Sequence, residues 1–79
     1  MKVVVVGREN LLKIFKNFGV ETFPASTEEE LLNLVAKLSD DPEVGIIIVA
    51  SSLSEKGRSI LRELKLRKPL PLIVEVAKL

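Results

Sequence analysis

Two runs of β-branched residues, Val3–Val6 and Ile46–Val49, constrain this chain more than any other feature in it. Neither run alternates apolar with polar residues. A strand with one wet face alternates with period two, whereas a strand covered on both faces does not. Both runs therefore predict central strands of a parallel sheet with helices on each side. Such a sheet needs crossover connections, and the intervening segments have helical patterning.

The first strand spans Lys2–Val6 and ends at Gly7, where the chain turns into a helix over Glu9–Phe18. Leu11, Leu12, Phe15 and Phe18 fall at helical spacing on one side, with Lys13, Lys16 and Asn17 on the other. Gly19 sits where a left-handed C-terminal residue is expected. A short strand, Val20–Phe23, is closed by Pro24. Ser26-Thr27-Glu28-Glu29 has the form of a capping box, and Leu31, Leu32, Val35 and Leu38 mark the second helix. Ser39-Asp40-Asp41-Pro42 stops it. The third strand is Val44–Ala50. Ser52-Leu53-Ser54-Glu55 offers a second capping box before a helix marked by Leu53, Ile60, Leu61 and Leu64. Gly57 weakens that helix by about 1 kcal/mol relative to alanine. Leu72–Val76 is the last strand.

The order βαβαβαβ over 79 residues predicts one α/β domain, residues 1–79. Its sheet has four parallel strands in the order 2-1-3-4, because the first and third strands are the most apolar. Three helices cover both faces. This is a small flavodoxin- or Rossmann-like architecture, and ligands of such sheets sit at the switch between strands 1 and 3. Arg8, Asn10, Ser51 and Ser52 line that position.

Most familiar chemistry is missing there. The chain has no Cys and no His, which removes thiolate metal sites and the commonest general base. Gly7 alone does not make a dinucleotide-binding loop. A phosphoacceptor receiver domain needs an Asp at the end of strand 3, where Ala50-Ser51 stands. Ser51 and Ser52 lack a histidine and a nucleophile elbow to activate them, and helix capping is the simpler role for both. No cofactor and no metal is expected. Twelve basic and eleven acidic residues give a net charge of +1, which argues against bulk binding of nucleic acid. The basic cluster Arg58, Arg62, Lys65, Arg67, Lys68 has no interleaved aromatic residue and reads as a solvated helix face. The Val3–Val6 run is too short to enter a membrane. Phe15 and Phe18 read as core residues, with an additional anchoring role open to each.

The residues in order resemble a family, the F subunits of the V/A-type (vacuolar/archaeal-type) rotary ATPases. The resemblance rests on Val3-Val4-Val5-Val6-Gly7, then Phe15, then Gly19-Val20, at matching spacing. Ile14 replaces the family's usual Gly, and Arg8 and Asn10 replace its Asp. Thr27–Leu31, Asp41–Val49 and Pro71-Leu72-Ile73-Val74-Glu75-Val76 continue the match. The resemblance implies a non-catalytic central-stalk (rotor) component that couples ATP synthesis or hydrolysis to proton or sodium transport. It implies a cytoplasmic location peripheral to the membrane. The partners it implies are a coiled-coil axle, like the family's D subunit, and the catalytic head. It also implies a globular part without the family's C-terminal helical tail. Helix 1 and the loops at the carboxyl end of the sheet are the expected interface, through Arg8, Asn10, Phe15, Ser51 and Ser52. The alternative is a receiver-like protein-binding module or adaptor lacking the phosphoacceptor Asp.

Overall fold

The computed structural model describes residues 1–76. Its elements run β1 (Lys2–Gly7), α1 (Glu9–Phe15), a 3-10 turn (Lys16–Phe18), β2 (Glu21–Pro24), α2 (Glu28–Ser39), β3 (Val44–Ala50), α3 (Glu55–Arg67) and β4 (Leu72–Glu75). All four strands are parallel, in the order β2-β1-β3-β4. The expected topology is therefore the observed one. β3 has the expected bounds, β1 takes in Gly7, β2 begins one residue late, and β4 ends one residue early.

The two sheet faces are clad unequally. On one face, Val4 and Val6 of β1, Ile47 and Val49 of β3 and Ile73 of β4 meet Leu31 and Val35 of α2 and Leu61 of α3. On the other, Val5 and Ala50 meet Leu12 of α1, with Leu11, Phe15 and Ile48 half-buried around them. The cause is dimensional. A helix with its side chains is about 10 Å across, and strands lie about 4.8 Å apart, so one helix covers two strands. α1 packs on β1 and β2. Two helices serve the α2/α3 face.

Three local expectations are corrected. Phe18 is not a core residue; it is 71% exposed. The helix tightens at Lys16 into a 3-10 turn, and the change from 3.6 to 3.0 residues per turn rotates Phe18 outward. Gly19 still ends the segment with φ 72°. The cap of α2 is Thr27, not Ser26: its side chain accepts from the Glu30 N–H at 3.1 Å. Ala25 is buried and its N–H donates to the Gly7 carbonyl at 2.9 Å, which keeps the chain extended past Ser26.

The third correction is at α3. Neither Ser51 nor Ser52 caps it, and Glu55 closes no box. Leu53 is buried ahead of the helix, and Ser54 is the cap, accepting from the Gly57 N–H at 3.1 Å. The carboxylate comes from another helix. Glu28 of α2 accepts from the Ser54 N–H at 2.7 Å and from its hydroxyl at 2.6 Å. Gly57 is therefore more than a weak point. A Cβ added there would lie 2.7 Å from the Glu28 carboxyl carbon. Gly57→Ala is expected to give its full helix-propensity gain, about 1 kcal/mol, only in a Glu28→Ala background. In the wild type, displacement of the carboxylate offsets that gain. A double-mutant cycle by urea unfolding measures the coupling, and additive effects would contradict this role of Gly57.

The bonds from Ser54, side chain first and then backbone, hold the Glu28 carboxyl below its usual range. A depressed folded value means stability that is present above the unfolded value and lost as pH falls through the folded one. Acidification below the ordinary carboxylate range is expected to destabilise the domain. In Glu28→Gln a measurable part of that acid slope should vanish from the melting profile.

Candidate functional site

At the carboxyl ends of β1 and β3, Gly7 and Ala50 are direct partners across the ladder. Both are buried, so the strand ends are packed against each other. Arg8 is the N-cap position of α1, extended at φ −68°, ψ 143°. Its carbonyl accepts from the Leu11 and Leu12 N–H groups at 3.0 Å each, while its side chain is exposed. Asn10 is exposed in the first turn. Ser51 is buried, and its hydroxyl donates to the Ser52 carbonyl at 3.4 Å. Ser52 is exposed. Arg8, Asn10, Ser51 and Ser52 thus belong to one end of the sheet. Phe15 lies apart from them, at the far end of α1, half-buried against Val5, Leu12 and Ala50.

The opposite end of the sheet carries a shallow cleft of about 640 Å³, lined in part by Lys2, Asp41, Glu43, Lys68 and Leu70. Its charges are largely matched. Lys2 bridges Glu21 at 3.4 Å and Glu43 at 3.8 Å, and Lys68 bridges Asp40 at 2.9 Å. Glu21, then Glu43, raises the Lys2 amine above its usual value. These pairs tie β2 and the start of β3 to β1.

Of the basic cluster, Lys65 pairs with Glu75 at 3.7 Å, which explains a charge in an apolar final strand. Arg58 and Arg62 are exposed and make no ion pair among the described residues. Among the same residues, no group of three or more His, Cys, Asp and Glu is placed to hold a metal ion. No helix there is long and apolar enough to cross a membrane.

Sequence reasoning missed the apolar surface on the α1 side. Ile14, Leu72 and Val74 are 50%, 55% and 46% exposed, and Phe18 continues the Ile14 row. The signal was available in the element count, since three helices leave one face of a four-stranded sheet with a single helix.

Fold and surface together define a small Rossmann-like α/β domain that presents exposed apolar and basic surfaces beside a closed switch point. A family model described as the ATP synthase (F/14-kDa) subunit matches residues 3–79, nearly the whole chain, and the chain belongs to that family. None of the curated proteins matches it significantly.

Proposed function

We propose that this chain is a non-catalytic component of the central stalk of a V/A-type rotary ATPase. There it helps couple ATP synthesis or hydrolysis to proton or sodium transport. The observation that carries this reading is the family match over residues 3–79. The switch point supports it. Gly7 and Ala50 are packed together, Ser51 is turned onto its own backbone, and strand β3 ends without an acid. A receptor of phosphate or phosphoryl groups would need charge or backbone access at that place.

In this role the domain works by binding. Its partners are a coiled-coil axle of the D-subunit type and, through it, the catalytic head. The complex holds it at the cytoplasmic side of the membrane without inserting it. Arg8, Asn10, Phe15 and Ser52 remain candidate contacts at α1 and the carboxyl end of the sheet, with Ser51 beneath them. A tagged chain purified from its source cells is expected to bring down rotary ATPase components. Recovery of none of them would overturn the proposal.

A further inference from the structure

We draw no further inference here: the strongest candidate, the apolar α1-side face of β3 and β4 around Ile48, Leu72 and Val74, carries none because nothing in the structure shows what covers it.

Discussion

Replacing Gly7 by alanine is expected to cost the domain about 3 kcal/mol, the upper end of what overpacking a close-packed site does. The added Cβ would lie 2.2 Å from the Ala50 carbonyl oxygen and 2.8 Å from its carbon. Those atoms are backbone, in the strand paired directly with β1 at this point. No side-chain rotation relieves the overlap, so the two central strands must part. The Gly7 carbonyl also accepts from Ala25, which anchors the turn into α2. A domain of this length holds roughly 4–12 kcal/mol in all, and each kcal/mol lost lowers its midpoint by about 4–8 °C. Because the clash is with the carbonyl, adding Ala50→Gly should not restore stability. A Gly7→Ala melt at the wild-type temperature would contradict the packing described at the switch point.

Leu61→Ala is expected to be as damaging, at about 3 kcal/mol within the usual span for buried leucines. Leu61 is fully covered and joins α3 to the cluster built on Ile47, Val49 and Ile73. Most of the core lies on this side of the sheet, so its loss strikes the better-packed half. Leu66 is the control. It lies on the same helix but is 81% exposed, and Leu66→Ala should stay within about 0.5 kcal/mol of the wild type. Urea unfolding midpoints at constant slope separate the two cases. Equal effects would mean that α3 is not packed through Leu61.

These two positions also show what the residues alone reveal. The strand runs are legible because burial on both faces demands unbroken apolar sequence, and β3 matches its expected bounds at both ends. Leu61 and Leu31 are legible from helical spacing. Gly7 is conspicuous in sequence, yet its cause is different from a turn. It lies in the ladder, and close approach to Ala50 excludes a Cβ.

The caps were ambiguous for a physical reason. Ser26 and Thr27 each have a glutamate three residues on, so the motif alone cannot choose between them. The choice is made by Ala25, whose bond to Gly7 holds the chain extended. At α3 the local motif misled, because the carboxylate that meets Ser54 is Glu28, 26 residues earlier in the chain. Of the candidate residues, the position of Arg8, Asn10 and Ser52 at the carboxyl end of the sheet was legible from topology. The uncovered apolar face was not, since patterning reports that a strand is apolar and not whether a helix covers it.

In the proposed central-stalk role, this domain rides on the rotating stalk. Electron cryomicroscopy of the intact rotary ATPase purified from source cells, with this chain carrying a tag visible in the map, tests it most directly. The expected map has the four-stranded domain against the coiled-coil axle below the catalytic head, turning with the axle between rotational states. Density for the tag on a peripheral stalk, or a complete complex that lacks this chain, would contradict it.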